Sequence, residues 1–175
     1  MKQVYVLRHA PKDNETGELT EEGIEQAKNL RKKFPRFTII VASDSPRTQE
    51  TAFLLTGTRP AIDARVSFYQ APPDQSASIL TQAPQHPLGF TGAYLDTQNI
   101  KENVIRKARG FITMINETLD KLEDGQKALI VSHDITMVPV KQLLDHQEIG
   151  MNNKSFEFLS GFIVDDKNNI RLFQL

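Results

Sequence analysis

The sequence predicts an α/β domain, a three-layer α/β/α sandwich whose mostly parallel central sheet is finished by a C-terminal β-hairpin. Three observations predict it. Short β-branched runs alternate with segments whose apolar residues recur at helical spacing, and the strand-like runs end in polar residues. The last twenty residues hold two further strand-like runs on either side of Asp165-Asp166-Lys167-Asn168-Asn169, a turn-forming string. At 175 residues and 39% hydrophobic content, one core of ordinary size accommodates the chain, so 1–175 is read as a single domain.

The elements follow in order. Residues 3–7 form a first strand. Ile24, Ala27, Leu30 and Phe34 then trace an apolar helical face over 20–34, behind Thr20 as N-cap and acidic Glu21 and Glu22. Phe37 to Val41 is a second strand, and Ser45-Pro46 opens a second helix with proline at its first position, running to about Leu55 before Gly57. Ile62 to Val66 reads as a short strand. From Gln70 to Thr97 the chain carries Pro72, Pro73, Pro84, Pro87, Gly89 and Gly92, which predict irregular backbone with one helical turn near Ser76–Leu80. Val104, Ala108, Phe111, Ile112, Ile115, Leu119 and Leu122 mark the strongest helix, stopped at Gly125. Ala128–Val131 is a buried strand, a helix follows from about Asp134 to Leu144, and Phe156–Val164 with Ile170–Leu175 make the hairpin.

Composition narrows the function classes. A net charge of -1, from 21 basic and 22 acidic residues interspersed along the chain, carries no polyelectrolyte signature for nucleic acid or an anionic membrane. The absence of cysteine removes disulfides, thiolate metal sites and a thiol nucleophile, and fits a reducing compartment, so cytoplasm is the expected location. The N-terminal apolar run meets Arg8 too early for a signal peptide or membrane span.

Sheets of this kind place ligands outside the carboxyl ends of their strands. Arg8-His9 follows the first strand, Ser43-Asp44-Ser45-Pro46-Arg47 the second, and Ser132-His133-Asp134 the Ala128–Val131 strand. Each residue also has a plain reading: a strand-end histidine is commonly a packed one, Arg47 could pair with Glu50 or Glu21, and Asp134 could simply cap its helix. Convergence changes that. Two arginines and two histidines on one edge form a cationic pocket suited to a tetrahedral dianion, and Arg47 in a first helical turn adds a forked donor beside the helix start. His86, between prolines, and His146, at a helix end, gain no such support.

Arg8-His9-Ala10, Leu19-Thr20-x-x-Gly23-x-x-Gln26-Ala27, Ser45-Pro46-Arg47-Thr48-x-x-Thr51-Ala52 and Ser132-His133 together resemble the histidine phosphatase superfamily. The compact length is most similar to the small phosphohistidine phosphatases of the signal-inhibitory factor X type, rather than to the larger phosphoglycerate mutases. The resemblance implies a phosphoglycerate mutase-like fold and a phosphatase that needs no cofactor or metal. Neutral His9 would attack phosphorus to form a phosphohistidine that water then hydrolyses. Arg8, Arg47 and His133 would bind the nonbridging oxygens. The substrate would be a phosphorylated small molecule or a phosphoprotein, with no nucleic acid or membrane partner; nothing in the sequence sets an oligomeric state.

Two positions depart from the family pattern. Ala10 replaces the usual glycine after Arg-His, and Phe68 stands where many members place a glutamate that protonates the leaving group. Asp134 is the candidate proton donor in its stead, the alternative being that no protein acid exists. Three other functions compete: a phosphoglycerate mutase-type phosphotransferase, which needs a closed pocket; a phosphate- or phosphopeptide-binding module without turnover; and a metal hydrolase using His9, His133 and Asp134, which the neighbouring arginines disfavour.

Overall fold

The computed structural model describes residues 1–87, 89–97, 100–147, 149 and 155–173. Six strands form one sheet: β1 (Gln3–Arg8), β2 (Ile39–Ala42), β3 (Ala61–Ile62), β4 (Lys127–Ser132), β5 (Gly161–Asp165) and β6 (Ile170–Phe173), in the order β3-β2-β4-β1-β5-β6. The four strands from β3 to β1 are parallel, while β5 pairs antiparallel with both β1 and β6. Among the described residues the α-helices are α1 (Glu21–Leu30), α2 (Pro46–Thr56), α3 (Pro73–Gln82), α4 (Gly89–Asp96), α5 (Ile100–Lys121) and α6 (Asp134–Leu144). The expected α/β class, parallel sheet and terminal hairpin are thus present. The final two residues of the expected last strand lie outside the described residues.

Alternation along the central strands builds the three layers. Val4 and Val6 of β1, with Ala128 and Ile130 of β4, face a core completed by Phe111, Met114 and Ile115 of α5 and by Met137 and Val140 of α6. Leu7 of β1, with Leu129 and Val131 of β4, faces Ala27 and Leu30 of α1 and Ala52 and Leu55 of α2. Both faces are covered, so the catalytic candidates are left at one end of the sheet.

Two sequence expectations need correction. The stretch from Gln70 to Thr97 is largely helical, with α3, a 3-10 turn at Ala83–Gln85 and α4. Its prolines sit at helix starts, where the missing N–H is no loss: Pro72 is the N-cap of α3 and Pro73 its first residue. Ile79, Ala93, Tyr94 and Leu95 pack there against Ile100 and Val104 as a separate apolar cluster. The strand expected at Ile62–Val66 is instead the two-residue β3 followed by a 3-10 turn at Ala64–Val66. Asp63 ends the strand because its carboxylate accepts the Arg65 N–H at 2.9 Å and captures the Arg65 side chain.

No helix among the described residues is long and apolar enough to cross a membrane.

Candidate active site

The site is built on three strand ends. The His9 N–H bonds the Ser132 carbonyl at 3.1 Å and the Ser43 N–H bonds the Val131 carbonyl at 3.2 Å, so the parallel ladder holds all three loops in register. On the other side of β1, the Arg8 N–H bonds the Ser160 carbonyl and the Leu159 N–H bonds the Arg8 carbonyl. His9 and His133 are 3% and 4% exposed, with ring centroids 5.3 Å apart.

The motif residues lock the turn after His9. Thr51 accepts the Ala10 N–H at 3.1 Å and donates to the Arg47 carbonyl at 2.7 Å, coupling the turn to the first helical turn of α2. Thr20 caps α1 by accepting the Gly23 N–H at 3.0 Å, while its own N–H bonds the Pro11 carbonyl at 3.1 Å. Gly23 is required by closeness: a Cβ there would lie 2.3 Å from the Pro11 oxygen. The threonine-glycine and arginine-threonine motifs are therefore the clamps that hold residues 9–12.

Arg47 bridges the two imidazoles. Its Nε–H points at His9 Nε2 at 3.2 Å and its Nη2 at His133 Nδ1 at 3.3 Å. A guanidinium only donates, so both ring nitrogens present lone pairs. His9 then carries its proton on Nδ1, which donates to the Ala10 carbonyl at 2.8 Å. His133 carries its own on Nε2, facing Ser43 Oγ at 2.9 Å. Both rings are neutral for a physical reason. Burial, reinforced by the nearby arginines, pushes His9 down to about 3 against its Ala10 hydrogen bond, and burial together with His9 and the arginines pushes His133 down to about 2.

Arg8 is fixed from behind. Its Nη1 donates to the Phe156 carbonyl, its guanidinium lies 3.9 Å from the centroid of the Phe158 ring, and its buried Nε has no partner among the described residues. Burial lowers its pKa, opposed by Asp134 and Glu157. Asp134 is the first residue of α6, with His133 in the cap position, and its carboxylate accepts the Phe156 N–H at 2.6 Å. Arg8 and Asp134 thus grip the same residue. Lys12 adds a further cation within electrostatic reach of the pocket: its amine lies 3.0 Å from Asn14 Oδ1, and burial together with Arg47 and Arg8 lowers its pKa against the pull of Asp13.

Two rings line the site: Phe68, at the position the resemblance gave to a glutamate, and Phe158, which sequence reasoning did not assign to it. Phe158 stands 5.6 Å from His9, and Phe68 meets His133 edge-on at 5.2 Å. Phe68 is delivered by the 3-10 turn, which Ser132 Oγ ties down through the Val66 carbonyl at 2.6 Å. Ser43 and Thr48 were visible in the sequence only as neighbours of Arg47. His86 pairs with Asp96 at 2.9 Å, and His146 lies just beyond α6.

Arg8, His9, Arg47 and His133 are brought together as the strand-end argument expected, and Asp134 sits behind Arg8. Such a set can hold a tetrahedral oxyanion against a neutral imidazole nucleophile.

The family model of the histidine phosphatase superfamily (branch 1) matches residues 4–68. The search of curated proteins finds no match. Among solved structures, a mycobacterial glucosyl-3-phosphoglycerate phosphatase complexed with VO3 superposes with a TM-score of 0.72 at 18% identity, covering 99% of this chain and 98% of that one. A phosphoserine phosphatase mutant from Entamoeba histolytica, in complex with phosphoserine, gives 0.67 at 15% identity over 99% and 96%. A phosphoglycerate mutase from Bacillus anthracis gives 0.67 at 18% identity over 99% and 92%. The fold is phosphoglycerate mutase-like, and the superfamily resemblance has support in sequence over residues 4–68.

Proposed function

We propose that this chain, which carries the histidine phosphatase superfamily's pattern over residues 4–68 and a phosphoglycerate mutase-like fold throughout, is a phosphatase using His9 as a covalent nucleophile. The observation that carries it is the neutral His9, its Nδ1–H held by the Ala10 carbonyl and its Nε2 lone pair turned toward Arg47. An entering phosphoryl group offers better acceptors to Arg47 than either imidazole does, so the guanidinium shifts onto its oxygens and uncovers Nε2. The unpartnered Nε–H of Arg8 supplies another donor. Nε2 then forms a bond to phosphorus as the bond to the leaving group breaks in line. Water hydrolyses the resulting phosphohistidine, releasing phosphate and restoring His9.

Metal independence is part of this reading. Both imidazoles face guanidinium groups, which would repel a cation placed between them. Asp134 is the candidate proton donor to the leaving group, and its bond to the Phe156 N–H gives it a second duty as an anchor beside Arg8. With Phe68 where a family glutamate would stand, the favoured substrates are those whose leaving group departs without a strong acid, including aryl phosphates and phosphohistidine. The apolar walls of Phe68 and Phe158 suit a flat leaving group.

The test is phosphate release from p-nitrophenyl phosphate and from a phosphohistidine peptide in excess EDTA, comparing the native chain with His9→Ala. Turnover that survives EDTA and disappears in the variant is expected. Folded protein without turnover on either substrate would transfer the reading to a phosphate-binding module. Chelator-sensitive turnover would point to a metal hydrolase.

A further inference from the structure

Ser43 is 0% exposed just beyond β2 and hydrogen-bonds neither Arg8 nor Arg47, yet its hydroxyl is the sole protein partner seen for His133 Nε2 among the described residues. We propose that Ser43 is a positioning residue: it fixes the tautomer and orientation of His133, and through them the resting place of Arg47. The inference deepens the phosphatase reading and rests on it for its kinetic part.

Counting hydrogens carries the assignment. Arg47 can only donate, so its contact with His133 Nδ1 at 3.3 Å requires a lone pair there and leaves the ring proton on Nε2. Nε2–H therefore donates to Ser43 Oγ at 2.9 Å, and the Ser45 N–H donates to the same oxygen at 3.2 Å. With both lone pairs occupied, Ser43 sends its own hydrogen to Thr48 Oγ1 at 2.7 Å. Thr48 in turn has one hydrogen, which goes to the Ser45 carbonyl at 2.7 Å. Each hydrogen in this chain is placed once in a consistent direction, from His133 through Ser43 and Thr48 to the backbone, where the Ser43 carbonyl at 3.2 Å is the longer alternative to that of Ser45. Thr48 is also 0% exposed, so no solvent substitutes for a missing link.

The consequence is a pocket-facing Nδ1 that accepts from Arg47. Arg47 is thereby stretched between two imidazole lone pairs, poised above the nucleophile. Without Ser43 the Nε2–H loses its acceptor, and both the ring's rotation and its tautomer are released.

Two-bond proton–nitrogen correlation spectra of histidine rings in the full chain test this directly. The native protein is expected to show His133 protonated on Nε2 and His9 on Nδ1. In Ser43→Ala the His133 pattern should become mixed while that of His9 stays as it was, and kcat for p-nitrophenyl phosphate should fall about 10- to 100-fold with KM changed less than about threefold. Should that variant fail to fold, Thr48→Val removes the acceptor of the Ser43 hydrogen, together with the Thr48 bond to the Ser45 carbonyl, and leaves the Ser43 hydroxyl in place. Ser43 is then free to donate to Nε2, and the Nδ1–H form of His133 should gain population. A His133 pattern that is unchanged in folded Ser43→Ala, or in Thr48→Val where Ser43→Ala does not fold, would overturn the proposal, as would unaltered kcat in Ser43→Ala. Native protein showing the expected ring pattern without turnover would sink the phosphatase reading and leave the tautomer assignment standing.

Discussion

Arg47 touches both histidines with different nitrogens of one planar group, which a lysine ammonium cannot reproduce. Arg47→Ala and Arg47→Lys are therefore both expected to lower kcat/KM, the former by about 100- to 1000-fold, measured with p-nitrophenyl phosphate. The depressed histidines also leave a mark on stability. In the unfolded chain His9 takes up its proton near ~6.5, whereas in the folded protein it resists to about 3. Stability is thus fully present above about pH 6.5 and is lost progressively as the pH falls toward about 3. At about pH 5 the loss amounts to about 2 kcal/mol for each such histidine. Urea unfolding of His9→Asn at about pH 8 and about pH 5 should show a pH-dependent loss smaller than native by about that amount. The sequence revealed which residues would meet, because strand-end placement fixes Arg8, His9, Arg47 and His133 on one edge. It did not reveal Ser43 as the holder of a ring proton, since that duty depends on a 2.9 Å contact between residues ninety positions apart. Phe158 carried no signal either: inside the expected strand Phe156–Val164 an aromatic looks like any core residue, whereas the strand begins only at Gly161 and leaves Phe158 in the loop before it.

At the level of elements, α1 and α2 act as fasteners for the turn after β1. Gly23→Ala would drive a methyl group into the Pro11 carbonyl, and Thr20 and the turn would have to move apart. The expected cost is about 1–3 kcal/mol, read as a Tm lowered by several degrees, with kcat falling because residues 9–12 lose their clamp. Helix boundaries were legible where caps and apolar faces agreed, as at Thr20, at Pro46 and from Asp134 to Leu144. They were not legible between Gln70 and Thr97, where proline was taken as a breaker. The same residue at a first helical position favours helix, and only the packing of Ile79 and Tyr94 decides which role applies. The failed strand at 62–66 has a similar origin: side-chain capture by Asp63 outweighs the β-propensity of Ile62 and Val66.

Over the whole molecule, the cationic pocket should make stability depend on anions. Inorganic phosphate at about 100 times its Kd would raise the unfolding free energy by about 2.7 kcal/mol if it binds only the folded state. Thermal melts with and without phosphate should show that shift in the native chain and a much reduced one in Arg8→Ala or Arg47→Ala. A Tm indifferent to phosphate in the native protein would contradict an oxyanion site. The three-layer architecture itself was readable because strand and helix periods alternate so regularly. The antiparallel attachment of β5 to β1 was not, since a hairpin read from sequence does not say which strand it joins.

That attachment matters for the chain during its synthesis. The strand that leads into the nucleophile is made well before its two neighbours, β4 at 127–132 and β5 at 161–165. At a translation rate of about 5–20 residues per second, β1 waits for several seconds with both edges unpaired. The pocket cannot assemble stepwise on the ribosome; it closes when the C-terminal strands arrive, so an interrupted chain is left without activity and with a bare, aggregation-prone Val4–Leu7 segment for chaperones to shield.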